Sequence, residues 1–237
     1  MKRNLAIFLI SLFFILGCSK TKVAVPPDNL PVKKMKEALA AGRYDETIKL
    51  SKEISTQVPL GIGTEEAFYT EAYACAFGKA DFQGARLPLK QLLDLYPNGV
   101  YAAEAQKLVS DCQYWQGHYR NAARDYKKLA AIYGEKGFAS YALMQAANCL
   151  LLDDKVADAL AAYRELVEKY PTDAAADTAQ LMIANSYIKL QNPKQAKSEL
   201  QKLMAFTRNA DIQRSAQKAL RQIEEEEPVR KGVGVSE

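Results

Sequence analysis

The 237-residue chain has a single histidine, His118, and a single tryptophan, Trp115, with only 12 glycines and 9 prolines. One imidazole excludes every metal site and catalytic triad that needs two or more histidines. Scarce glycine and proline beside a 49% hydrophobic share exclude a disordered chain and require a packed core. A dense basic run is also missing. Lys and Arg number 32 against 28 Asp and Glu, a formal charge of +4 that falls well short of a nucleic-acid footprint, so no nucleic-acid partner is expected. The apolar run Leu5 to Leu16, interrupted at Ser11, is twelve residues long, whereas a spanning helix needs roughly 20. The Gly232 to Val235 segment lacks the preceding strand and following helix of a phosphate loop, and no cofactor or metal is expected.

What is present begins with that short run. Lys2 and Arg3 precede it and Gly17 and Cys18 follow, which predicts a signal peptide over 1–17. Ile15, Leu16, Gly17 and Cys18 resemble the lipobox of bacterial lipoproteins. The resemblance implies that Cys18 is diacylated through sulfur, becomes the mature N-terminus and binds the membrane through lipid. Each buried CH₂ of an acyl chain contributes about 0.8 kcal/mol to such an anchor. Ser19, in place of Asp, goes with outer-membrane sorting and a periplasm-facing domain in enteric lipoproteins; inner-membrane retention is the other sorting outcome. Loss of Lys2 and Arg3 leaves 30 basic residues against 28 acidic, a nearly neutral mature chain. Residues 18–31, with Pro26, Pro27 and Pro31, read as a lipidated tether.

Beyond the tether the chain repeats itself. Thr47, Ala85, Ala122, Ala159 and Ala196 fall at intervals of 38, 37, 37 and 37 residues. An aromatic or apolar residue precedes four of them at Tyr44, Phe82, Tyr119 and Val156, with Pro193 in the fifth copy. Ser51, Leu89, Tyr126, Tyr163 and Leu200 follow them, and the copies close at Pro59, Pro97, Gly134, Pro171 and Arg208. Apolar residues at helical spacing, such as Tyr69, Ala72, Tyr73 and Ala76 before the turn and Ala159, Ala162, Tyr163 and Leu166 after it, make each unit two amphipathic helices. Gly42, Gly117, Asp153-Asp154 and Asn192-Pro193 mark the turn between them. Pro88 should kink the second helix of unit 2 or delay its start. Residues 32–208 thus form five units. A capping helix over 209–227, with Ile212, Ala216, Ala219, Leu220 and Ile223 on one face, covers the last unit, and 228–237 is expected to be a flexible tail.

These offsets resemble the tetratricopeptide repeat, and the implied fold is an all-α solenoid of helix pairs. The three residues by which each unit exceeds the family's 34 are placed in the loops between units. In this family the first helices line a groove for peptides. Carried over residue by residue, the groove positions are Phe77, Lys107, Asp111, Tyr114, Trp115, Tyr141, Met144, Asn148, Leu151, Leu181, Asn185 and Ile188. Rings supply contact area and amides pair with a ligand backbone. A clamp for a terminal carboxylate would need several cations here, and only Lys107 is available.

Cys75, Cys112 and Cys149 recur at intervals of 37 residues, one to each of three successive first helices. Helices pack roughly 8–10 Å apart, beyond the ~7 Å Cα limit of a disulfide, so these cysteines read as buried and unbridged. His118 lies in a turn with no partner for catalysis. No catalytic residues are assigned, and the chain reads as a non-enzymatic scaffold for envelope proteins or peptides. The lipobox, five repeats and closings such as Leu95-Tyr96-Pro97 resemble the BamD-like lipoproteins of the outer-membrane β-barrel assembly machine. The last copy and its cap resemble the terminal repeats of the Tol-Pal coordinator. A pilus or polysaccharide-export accessory lipoprotein and an accessory to cell-wall turnover enzymes are the remaining alternatives.

Overall fold

The computed structural model describes residues 30–58, 60, 61 and 63–232. The signal peptide, Cys18, most of the tether and the last five residues lie outside them. The described residues form eleven α-helices and no strand. Unit 1 comprises α1 (Leu30–Ala40) and α2 (Tyr44–Gln57); unit 2, α3 (Thr64–Tyr73) and α4 (Arg86–Leu95); unit 3, α5 (Ala102–Trp115) and α6 (Tyr119–Tyr133). Unit 4 has α7 (Ala139–Leu152) and α8 (Val156–Lys169), unit 5 has α9 (Ala174–Lys189) and α10 (Pro193–Phe206), and α11 (Ala210–Gly232) follows. The helical array begins at Leu30, inside the expected tether.

From α2 to α11 each helix packs on the next in chain order, because the short turns bring antiparallel neighbours together. The repeated small residues explain how closely. Thr47, Ala85, Ala122, Ala159 and Ala196 are all fully buried, letting each second helix approach its partner. Ser51, Leu89, Tyr126, Tyr163 and Leu200 fill the layer behind them and are also buried. Burying a large apolar side chain contributes roughly 1.5–3 kcal/mol, so unit 1, with Ser51 at this position, gains least from it. The core divides into successive clusters, as expected where each unit touches only its neighbours.

A left-handed residue closes every turn within a unit: Gly42, Ala80, Gly117, Asp154 and Gln191, with φ of 69°, 53°, 75°, 57° and 55°. In four units the following amide bonds the carbonyl five residues back: Arg43 N to Ala38 O, His118 N to Gln113 O, Lys155 N to Leu150 O and Asn192 N to Tyr187 O, at 2.8–2.9 Å. Unit 2 differs. Asp81 N reaches six residues back, to Cys75 O at 2.8 Å, and the end of its first helix widens into a π-turn over Ala74–Gly78. The extra residue that lengthens one repeat interval to 38 is therefore stored in this turn.

The remaining second helices begin at the repeat's aromatic or apolar residue, but α4 starts four residues after Phe82, at Arg86. Pro88 sits in its first turn, where a missing N–H leaves no intrahelical bond unmade. The delayed start is thus the outcome that the proline imposes. Asn192 accepts from Gln195 N at 3.3 Å with Pro193 at the first helical position, and Asp173 caps α9 by accepting from Ala175 N at 2.8 Å. On α11, Ala216 and Ile223 are buried against Ala184, Ala196, Leu200 and Leu203, with Ile212, Ala219 and Leu220 beside them. The helix runs past Pro228 to Gly232, beyond the expected stop at 227.

Candidate functional site

The exposed stripe of the first helices depends on where the extra residue lies. From the closing Pro59 to the left-handed Ala80 there are 21 positions; from Pro97 to Gly117, Gly134 to Asp154 and Pro171 to Gln191 there are 20. Ahead of the π-turn, unit 2 is therefore displaced by 38 residues from unit 3, not 37. Burial confirms this register. Ala72, Ser110, Ala147 and Ala184 are each essentially inaccessible, as are Phe68, Gln106 and Leu143 one helical turn earlier. Tyr69 thus matches Lys107, Met144 and Leu181, and Tyr73 matches Asp111, Asn148 and Asn185. After the turn, Phe77 matches Tyr114, Leu151 and Ile188.

This places Tyr69 and Tyr73, which the periodicity assigns to the core with Ala72 and Ala76, on the stripe instead. The alanines are buried, but the tyrosines are not. The signal that finds them is the 38-residue interval, located before Ala80. The rings form a continuous ladder. Tyr101 stacks on Tyr69 with centroids 5.1 Å apart, Tyr69 lies 6.3 Å from Tyr73, and Tyr73 lies 4.5 Å from Phe77. Phe77 meets Trp115 edge-on at 5.1 Å, and Trp115 lies 5.5 Å from Phe82. Tyr73, Phe77 and Trp115 remain 36%, 50% and 41% exposed. Packing alone does not require so much ring surface in water.

Toward unit 4 the stripe turns polar. Asp111 is buried, accepts from the Tyr126 hydroxyl and pairs with Lys107 at 2.6 Å. Burial lowers the Lys107 pKa, but the bond to Asp111 outweighs it and holds the ammonium above its ordinary value. The Lys107 Nζ also lies 5.3 Å from the centre of the Tyr141 ring, which meets Tyr126 at 6.3 Å, nearly perpendicular. One unit on, Asn148 Oδ1 accepts from Tyr163 at 2.6 Å. In unit 5 the position behind the stripe is Leu200, which cannot donate, and Asn185 stands exposed with its amide 3.9 Å from Met182 Sδ.

Of the carried-over positions, the structure joins Phe77 to Trp115 and Lys107 to Asp111 and Tyr141. Tyr114 turns to Tyr119 in its own unit, with ring centres 5.7 Å apart. Met144 and Leu151, and in unit 5 Leu181 and Ile188, lie half-buried against the core. Cys75, Cys112 and Cys149 are free and buried. Burial, then the charge of Asp111, pushes Cys112 and Cys149 up to about 12, and burial raises Cys75 as well. His118 is exposed, with Nδ1 3.2 Å from Gln113 Oε1. Among the described residues no three His, Cys, Asp or Glu side chains are placed to hold a metal ion.

A sequence model of the tetratricopeptide repeat matches residues 141–173 and 178–206, in units 4 and 5. The chain has the tetratricopeptide-repeat fold. Among solved structures of this fold it is similar to a MamA fragment from Desulfovibrio magneticus RS-1, with 18% identity, TM-score 0.56, and coverage of 77% of this chain and 96% of that one. It is also similar to YrrB, described as a TPR protein with an unusual peptide-binding site, at 12% identity and TM-score 0.56, covering 79% and 90% of the two chains. The apo form of RapI matches at 14% identity and TM-score 0.55, over 74% of this chain and 68% of that one. No curated protein matches the chain in sequence.

Proposed function

We propose that the chain is a non-enzymatic, lipid-anchored scaffold that holds partner proteins or peptides of the cell envelope along its first-helix stripe. The observation that carries this reading is the stripe itself, which runs from exposed rings in unit 2 to amides in units 4 and 5. Rings offer area at little entropic cost and amides offer backbone pairing, the combination that an extended segment needs. Tetratricopeptide arrays bind proteins or peptides, and YrrB is described as having a peptide-binding site. The lipobox around Cys18 supports anchoring, and Ser19 supports the periplasmic face of the outer membrane. Within that setting, the BamD-like features of the sequence favour service in outer-membrane protein assembly. Among the described residues no helix is long and apolar enough to cross a membrane.

Two measurements test the reading. Metabolic labelling with an alkynyl fatty acid should tag the chain, and Cys18→Ser should abolish the tag and release the protein from membranes; undiminished labelling would refute the anchor. A photo-crosslinking residue at Trp115 or Asn148 should capture envelope proteins that the same group at Gln201, an exposed position of α10, does not. Equal capture from both places would remove the stripe from the binding site.

A further inference from the structure

The ring ladder is set among carboxylates. At its Tyr69 end, Glu65 Oε1 accepts from Tyr101 N at 2.6 Å, and Glu66 Oε1 accepts from the Tyr101 hydroxyl at 2.8 Å. Glu104 and Asp111 stand about one and nearly three turns past Tyr101 on α5. Among the described residues two cations answer these four groups: Lys36, 2.8 Å from Glu66, and Lys107, 2.6 Å from Asp111. Glu104 has no such partner. Its Oε2 is shielded from water and has no hydrogen-bond donor, an arrangement that is unfavourable unless the half-buried carboxylate turns to meet a donor from outside. Its charge reaches the ladder, since it is the largest influence after burial in raising the Tyr69 pKa.

We infer that the ladder of units 2 and 3 receives a peptide segment carrying Lys or Arg beside aliphatic or proline residues, with the cation directed to Glu104 and the ring face of Tyr69. The inference rests on the peptide-binding reading above and adds the sign of the ligand's charge. Proline and valine side chains present flat apolar faces to Tyr73, Phe77 and Trp115, in an extended backbone that such rings recognise with little ordering cost. A cation over a tyrosine ring and against a half-buried carboxylate gains from both. The polarity is opposite to that of a groove built for a terminal carboxylate, which would repel these four acids.

Trp115 is the only tryptophan, so its emission reports from the ladder alone. The probes are acetylated, amidated peptides of three repeats of Lys-Val-Pro, Gln-Val-Pro or Glu-Val-Pro, titrated into the folded chain. The lysine peptide should shift Trp115 emission saturably and bind at least about tenfold more tightly than the glutamate peptide. Glu104→Gln should weaken the lysine peptide about fivefold and leave the glutamine peptide unchanged. Tyr73→Ser, at an exposed ring, should weaken all of them without altering the thermal melt. Equal binding of lysine and glutamate peptides, or an indifferent Glu104→Gln, overturns the inference while the peptide reading stands. No emission change with any peptide overturns both. A concentration-dependent dimer abolished by Tyr73→Ser, with silent peptides, would assign the ladder to a second copy of the chain and overturn the inference as well.

Discussion

Tyr163 on α8 donates its hydroxyl hydrogen to Asn148 Oδ1 on α7 at 2.6 Å, and one unit earlier Tyr126 donates to Asp111 in the same way. A second-helix tyrosine therefore fixes the polar residue of the stripe in each of the two units that carry one. Tyr163→Phe removes a donor without opening a cavity and should cost about 1 kcal/mol. Tyr126→Phe deprives a buried carboxylate and should cost more, about 1.5–3 kcal/mol. Urea melts of both variants check the order. Equal losses would mean that Lys107 alone satisfies Asp111.

The three free cysteines supply a second expectation. Ellman's reagent at pH 8 should react slowly with Cys75, Cys112 and Cys149 in the folded chain and at once after denaturation, since burial both shields the thiols and disfavours the thiolate. Their pKa values are raised on folding, so the folded state binds more protons than the unfolded one in the alkaline range. The stability they contribute is complete below about pH 9 and declines as pH climbs toward about 12. Replacing Cys112 and Cys149 by alanine should flatten that decline. A decline equally steep in the double variant would assign it to the buried tyrosines.

Much of this architecture is legible in the sequence because the repeat constrains it at every turn. Thr47, Ala85, Ala122, Ala159 and Ala196 are aligned by spacing alone, and all prove fully buried. The face of α11 is likewise readable from its period, and the delayed α4 from Pro88. The stripe of unit 2 is not, because a single inserted residue moves Tyr69 and Tyr73 by one position against a uniform 37-residue frame. One residue is about 100° of helix, enough to exchange a core position for a surface one. The hydroxyl bonds behind Asp111 and Asn148 are also invisible to spacing, since Leu200 occupies the same position as Tyr126 and Tyr163 without donating anything. Lys107 shows a further limit: the sequence places it on the stripe, but only the structure shows that Asp111 and Tyr141 already engage it.

Glu71 on α3 is buried against α2, with Lys52 3.8 Å away and largely in solvent. Burial raises its pKa, and the Lys52 charge offsets only part of the effect. The folded state thus favours the protonated acid, and the stability this contributes is present below the ordinary glutamate pKa and lost as pH rises through the folded value. Glu71→Gln should therefore stabilise the chain at pH 7, by up to about 1 kcal/mol given the solvent screening of Lys52. The gain should vanish below pH 4. Melting curves at the two pH values decide it, and a variant less stable at pH 7 would show that the ion pair with Lys52 outweighs burial.

The left-handed turns offer a test that rests chiefly on backbone conformation. A β-carbon at Gly117 would meet nothing within 4 Å, so the cost of Gly117→Ala is that of a φ of 75° alone, about 1–2 kcal/mol. Gln191 holds the same place in unit 5 with a φ of 55° and no glycine to ease it. Gln191→Gly should then recover most of this strain, less the entropy that glycine loses on folding, for a net gain of about 0.5–1 kcal/mol. Asp154→Gly is the control. Aspartate tolerates this conformation better, and Asp154 also bonds Lys189 at 2.7 Å, so its replacement should be close to neutral. Denaturation midpoints should fall in the order Gln191→Gly, wild type with Asp154→Gly, then Gly117→Ala. If Gln191→Gly fell below the wild type, the turn of unit 5 would owe its geometry to the Asn192 cap and not to the strained residue before it.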